Sequence, residues 1–211
     1  MIFTGPALRW LDFDVEARPL NWYGGDWVTK EITAIGWSWV DVEANIRGQG
    51  KVQSVLLRNE QVGGPNDEQQ HRMLTAFLEQ YDRADAVTGH FIRGYDLAVV
   101  NAALIEFGLP TLADKLTEDT KGDLVKFSGL SKSQENLAAM LGIASPKVQM
   151  DQTKWREANR LSEYGVELTR QRVEGDVIQH MELRLALRER GMLGKPKTWT
   201  GSPTPGSKYM P

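Results

Sequence analysis

Cysteine is absent from the chain, and only three histidines occur in 211 residues. Without thiols there is no disulfide framework, and the tetrahedral zinc sets built from Cys and His are excluded, so any bound metal is expected to be hard and oxygen-liganded. Zero cysteine also suits a reducing compartment. The first thirty residues show no basic segment followed by an apolar one, so the cytoplasm is the expected location. No apolar run approaches the roughly 20 residues that a spanning helix needs, which makes a membrane partner unexpected. The formal charge is only −3, so the total advertises no polyanion partner. Affinity for nucleic acid depends instead on where Lys and Arg sit, and acidic metal ligands lower the net charge of the chain that carries them. What is present is ordinary for a soluble globular domain: 41% hydrophobic and 25% charged residues, in a length that suits one domain with a sizeable core.

Residues 7 to 16, 31 to 42 and 51 to 58 read as strands, rich in β-branched and aromatic residues and separated by "YGGD" and "RGQG" turn chemistry. Residues 66 to 82 place Met73, Leu74, Phe77, Leu78 and Tyr81 at helical spacing, with Asn66 or Asp67 as N-cap. "DAVTGH" at 85 to 90 is a short strand, and 96 to 108 an apolar helix closed by Gly108 and Pro110. The middle third is polar and loop-rich until "SKSQENLAAMLG", where Ser131 and Gln134 have capping-box spacing before a helix that ends at Gly142. Residues 162 to 191 form the longest helical candidate, which Gly165 and Gly175 could divide in two. Antiparallel strands followed by β/α alternation predict an α/β domain over residues 1 to 191, a mixed central sheet flanked by helices. Residues 192 to 211 form a flexible or docked tail, with Trp199 as the docking residue.

The stretch "WLDFDVEARP" carries a carboxylate at every second position, Asp12, Asp14 and Glu16. Alternate side chains of a strand share a face, so these acids cluster on one side and Leu11, Phe13 and Val15 on the other. Close carboxylates repel, and a divalent cation relieves that repulsion. A solvated strand face explains the pattern equally well on this stretch alone. Two further acids stand at the ends of apolar elements, Asp96 in "GHFIRGYDLAVVN" and Asp176 in "GDVIQHMELRLAL".

In these three segments the chain resembles the DEDD family of 3′ to 5′ exonucleases, which have a ribonuclease H-like fold and include polymerase proofreading domains. "LDFDVEARP" resembles the first family motif, "GHFIRGYDLAVVN" the second and "GDVIQHMELRLAL" the third. The resemblance implies that Asp14, Glu16, Asp96 and Asp176 are the catalytic acids and the ligands of two Mg²⁺ or Mn²⁺ ions, with Asp14 bridging both. Two such ions activate water and stabilise the leaving 3′ oxygen. Members carry a Tyr four residues before the last acid or a His five before it; here those positions hold Arg172 and Gln171. His180, one turn after Asp176, or His90, in the second motif, is a candidate for orienting water, and Arg172 a candidate for contacting the scissile phosphate. Phe91 stands where the family has Asn after Gly-His.

Lys121, Lys126 and Lys132, together with Lys147, Lys154, Arg156 and Arg160, lie where the family places loops over the substrate strand, and Tyr95 is a candidate to stack on a terminal base. Trp37, Trp39 and Trp155 are candidates to stack on bases, although Trp37 and Trp39, on one strand face, read first as core or interface residues. The resemblance therefore implies a metal-dependent 3′ to 5′ exonuclease on DNA, preferring single-stranded or frayed 3′ ends. With no polymerase domain attached, a stand-alone repair, replication or processing nuclease of phage or bacterial type is expected. The alternatives are a nuclease of RNA or branched DNA on the same site, or a nucleic-acid-binding module that kept the fold and lost turnover.

Overall fold

Ten residues of alternating character at the start of the chain become β1 (Trp10–Pro19), whose apolar side chains Leu11, Phe13 and Val15 are all buried. This strand pairs antiparallel with β2 (Lys30–Val40), and β2 pairs antiparallel with β3 (Gln53–Leu56). Helix α1 (Asp67–Arg83) leads to β4 (Ala86–Gly89), which lies parallel to β1 on its other side. Helix α2 (Asp96–Glu106) leads to β5 (Lys115–Asp119), parallel to β4. Three helices follow, α3 (Gln134–Met140), α4 (Gln152–Asn159) and α5 (Glu163–Glu189), before β6 (Lys197–Trp199) closes the edge antiparallel to β5. The sheet order is β3-β2-β1-β4-β5-β6, the mixed α/β architecture expected from the sequence. This computed structural model describes residues 8–19, 30–40, 53–56, 67–125, 130–144 and 147–201; the expected "YGGD" and "RGQG" turns and the Asn66 cap lie outside them.

One face of the sheet is dry. Met73, Leu74, Phe77 and Tyr81 of α1 meet Phe13, Ile35 and Trp37 in a single buried cluster, with Phe13 and Phe77 ring centroids 5.0 Å apart. Each large side chain removed from water in this way contributes about 1.5–3 kcal/mol, which fixes β1 in the register that turns its acids to the other face. There α5 crosses β1 and β2. Gly36, the partner of Asp14 across the antiparallel pair, makes that approach possible, because a Cβ there would come within 3.0 Å of Val173 Cγ2.

Several elements depart from the sequence reading. The strand β5 was expected to be loop, because its buried residues Thr117, Glu118 and Asp119 are polar and satisfied by hydrogen bonds rather than by oil. The short α4 and β6 carry too few apolar residues to show a period. The cap of α3 is Ser133, whose hydroxyl accepts from Asn136 N, instead of Ser131. Helix α5 runs unbroken past both glycines. Gly165 sits where α4 turns into α5, and a Cβ there would lie 2.0 Å from the carbonyl oxygen of Glu157, so its role is close approach. The segment after Gly191 is held to the body through residue 201: Trp199 packs against the core, and Gly201 N donates to Asp114 Oδ1 at 3.1 Å. No helix among the described residues is long and apolar enough to cross a membrane.

Candidate active site

Four consecutive turns of α5 bring Arg172, Asp176, His180 and Arg184 to the acidic face of the sheet. Every fourth helical residue advances about 6 Å along the axis, and every second strand residue about 6.6 Å, so the two rows stay in step. Going up the helix, Arg172 meets Glu16, Asp176 meets Asp14 and Glu16, and His180 meets Asp12. Arg184 then reaches across to Glu118 of β5, which also takes Arg188.

At the centre, one carboxylate oxygen each from Asp14, Glu16 and Asp176 lie within 4.8 Å of one another. Asp96 joins from the first turn of α2, where its Oδ1 accepts from Val15 N at 3.0 Å and so ties the helix to β1 between the two strand acids. Burial and the neighbouring carboxylates of Asp176, Asp96 and Glu16 hold the Asp14 carboxyl well above the usual range. Burial likewise pushes Glu16 up to about 7, opposed by Arg172, and Asp96 up to about 7, opposed by its backbone N–H bonds. Oxygen donors, close spacing and mutual repulsion are the properties that a hard divalent cation requires and relieves. The cluster of Asp14, Glu16 and Asp176, with Asp96 beside it, therefore fits a hard divalent cation.

Cations already stand among them. Arg172 Nε lies 3.1 Å from Glu16 Oε1 and 2.9 Å from Asp176 Oδ2, and its guanidinium is 5.9 Å from the Trp155 ring. Lys147 Nζ lies 2.5 Å from Asp176 Oδ1, its side chain only 9% exposed. Gln134, the first residue of α3, donates to the Asp176 carbonyl at 3.0 Å. Sequence reasoning held Lys147 only as one of a run of loop cations, and it missed Gln134; neither carries a spacing signal that points to Asp176.

The two histidines belong to another network. His180 Nδ1 lies 2.7 Å from Asp12 Oδ2 and its Nε2 3.0 Å from Thr120 Oγ1; His90 Nδ1 lies 2.9 Å from the same hydroxyl and its Nε2 2.9 Å from the Lys132 carbonyl. The Lys132 carbonyl can only accept, and Thr120 has one proton to give, so a neutral His90 donates to the carbonyl and accepts from Thr120, which in turn accepts from His180 Nε2; one proton lies between His180 Nδ1 and Asp12. Burial and the nearby His180 lower His90 to about 4, in keeping with its neutral form. None of these partners is one of the four central acids, and Asp12, the extra acid of the opening stretch, is fully buried as the partner of His180.

Asp119 organises the rim. Its carboxylate accepts from the backbone N–H of Phe91, Arg93, Lys121 and Gly122 at 2.8–3.1 Å, clamping the loop before α2 to the loop after β5. Phe91 is held there at φ 71°, a left-handed conformation rare for an aromatic residue, and the residue is 40% exposed. Lys121 Nζ sits 3.8 Å from the centre of that ring, and Tyr95 receives a hydrogen bond from Lys30 at 3.2 Å. Lys132 is exposed, and its carbonyl serves His90. Lys126 lies outside the described residues. Trp37 is buried and Trp39 packs against the same core.

No family model matches the chain, and no curated protein matches it. Its structure is similar to that of a family B DNA polymerase from the hyperthermophilic archaeon Pyrobaculum calidifontis, with a TM-score of 0.56 and 16% identity over 88% of this chain and 24% of that one. It is also similar to a chain of an ExoI/SSB-Ct complex, with a TM-score of 0.52 and 12% identity over 87% of this chain and 41% of that one. The chain spans less than half the length of either neighbour. The likeness is one of fold: a mixed sheet flanked by helices, of the ribonuclease H-like type.

Proposed function

We propose that the protein is a divalent-metal-dependent nuclease of the DEDD type, removing nucleotides from the 3′ ends of DNA and preferring single-stranded or frayed ends. The observation that carries this reading is the convergence of Asp14, Glu16 and Asp176 within 4.8 Å, on elements far apart in the chain, with Asp96 fastened beside them. Bound Mg²⁺ or Mn²⁺ supplies Lewis acidity, lowering the pKa of water and offsetting charge on a phosphodiester. Asp14, Glu16, Asp96 and Asp176 would hold it. The chain's own groups do the rest. Arg172 and Lys147 fix the carboxylate of Asp176, and the Arg172 guanidinium, beside Trp155, presents the planar donor geometry that suits a phosphate oxygen. Lys121 and Tyr95 stand at the rim, where a strand backbone and a terminal base would pass.

A second reading is a nucleic-acid-binding module without turnover. Arg172 at the position of the family's Tyr, engaged with both Glu16 and Asp176, favours it.

Incubation of 5′-labelled single-stranded DNA with Mg²⁺ or Mn²⁺, beside an Asp14→Ala control, separates the two. A ladder of progressively shorter products, absent in the control, is the expected result. Retention of intact DNA by the wild-type protein under both metals would establish the binder instead. Parallel RNA and branched-DNA substrates assign the substrate class.

A further inference from the structure

The resemblance implies a pair of divalent ions, but the charges around Asp176 point elsewhere. Four carboxylates, when ionised, carry four negative charges. Arg172 and Lys147 are ion-paired within the cluster and cancel two of them. Two remain, which a single divalent cation balances; a second would leave the site with a net positive charge beside two protein cations. Position agrees with charge. Both oxygens of Asp176 already face a cation, Oδ1 facing Lys147 at 2.5 Å and Oδ2 facing Arg172 at 2.9 Å, and the Asp176 side chain is only 6% exposed. Among the described residues, Asp14 and Asp96 form no ion pair, so the two protein cations are both concentrated on Asp176 and its neighbour Glu16.

We infer that Lys147 and Arg172 stand in for one of the two cations, so that the acidic cluster loads one divalent ion rather than two. Arg172 contacts Glu16 of the strand and Asp176 of the helix together, and so places one positive charge between the two elements. The inference rests on the reading that this cluster takes a divalent cation.

The test is the number of Mn²⁺ ions bound per full-length chain, followed as loss of the free-Mn²⁺ electron paramagnetic resonance signal and by calorimetry, without nucleic acid. Wild-type protein is expected to bind one ion, Asp14→Asn none, and Lys147→Met two. Arg172→Gln provides a second variant that preserves side-chain length, and circular dichroism confirms that each is folded. Two ions on the wild type would overturn the inference while leaving the proposed nuclease intact. No ion on the wild type would sink both. One ion on the wild type and still one on both folded variants would also overturn it, since the cations would then not be what excludes the second ion.

Discussion

His180 and Asp12 meet at 2.7 Å, with side chains 3% and 1% exposed, one helical turn and two strand residues beyond the metal-type acids. Removing one member of a buried hydrogen-bonded pair leaves the other unsatisfied, at a cost of about 1–3 kcal/mol. His180→Ala is expected to lose that much in urea denaturation, and more than Asp12→Asn, which keeps an acceptor for the imidazole. Mn²⁺ affinity of the surviving folded protein should stay unchanged. A large loss of Mn²⁺ binding in His180→Ala at full foldedness would place the histidine in the metal site after all.

Without divalent cation, the central acids make the protein less stable as pH rises. Glu16 and Asp96 titrate near 7 in the folded chain, above the ordinary carboxylate range, so the native state holds protons that the unfolded chain has released. Their contribution is intact below about pH 4 and is lost as pH climbs through about 7, with a slope on the order of 1 kcal/mol per pH unit for each group. Thermal melts in a chelator should show Tm falling from pH 5 to pH 8, and saturating Mn²⁺ should raise Tm more at pH 8 than at pH 5. A flat chelated profile would mean that the acids ionise together without penalty.

His90 works in the opposite sense. Its folded value near 4 lies below the ordinary histidine value, so the unfolded chain takes the proton first. Stability from this residue is complete above about 6.5 and drains away as pH falls towards 4. His90→Gln should flatten the acid limb of a pH series of urea midpoints; an unchanged limb would show that other groups cause it.

Gly165→Ala should be costly in a way that helix propensity alone would reverse. Its Cβ would meet the Glu157 backbone, which cannot step aside, and overpacking against backbone costs about 3 kcal/mol, the upper end of the usual range. Gly142→Ala, at φ 70° with nothing within 4 Å of its Cβ, should lose only about 1–2 kcal/mol from the left-handed backbone. Equal losses in denaturant titrations would refute the close-approach argument at the α4–α5 corner.

The fold was legible where apolar periods are long. Leu11, Phe13 and Val15 in one strand, and Met73, Phe77 and Tyr81 in one helix, announce the dry face before any coordinates exist. The strand β5 was not legible, because Thr117, Glu118 and Asp119 are buried by hydrogen bonds and ion pairs that only the assembled sheet supplies. Asp12 shows the same limit within the site: three acids alternate identically in the sequence, yet two face Asp176 and the third faces His180, because the helix advances one turn between them. Lys147 was hidden for a plainer reason, since a lone lysine in a polar segment looks like any other until Asp176 is placed beside it.

The step between helix and strand carries a consequence for folding. Slid one turn along the sheet, α5 would set Asp176 against Asp12, acid on buried acid, while Arg184 and Glu118 lost each other. Hydrophobic side chains alone would tolerate such a slip, since one greasy ridge resembles the next. The charged row along the helix therefore penalises this slip, which hydrophobic packing alone would leave open.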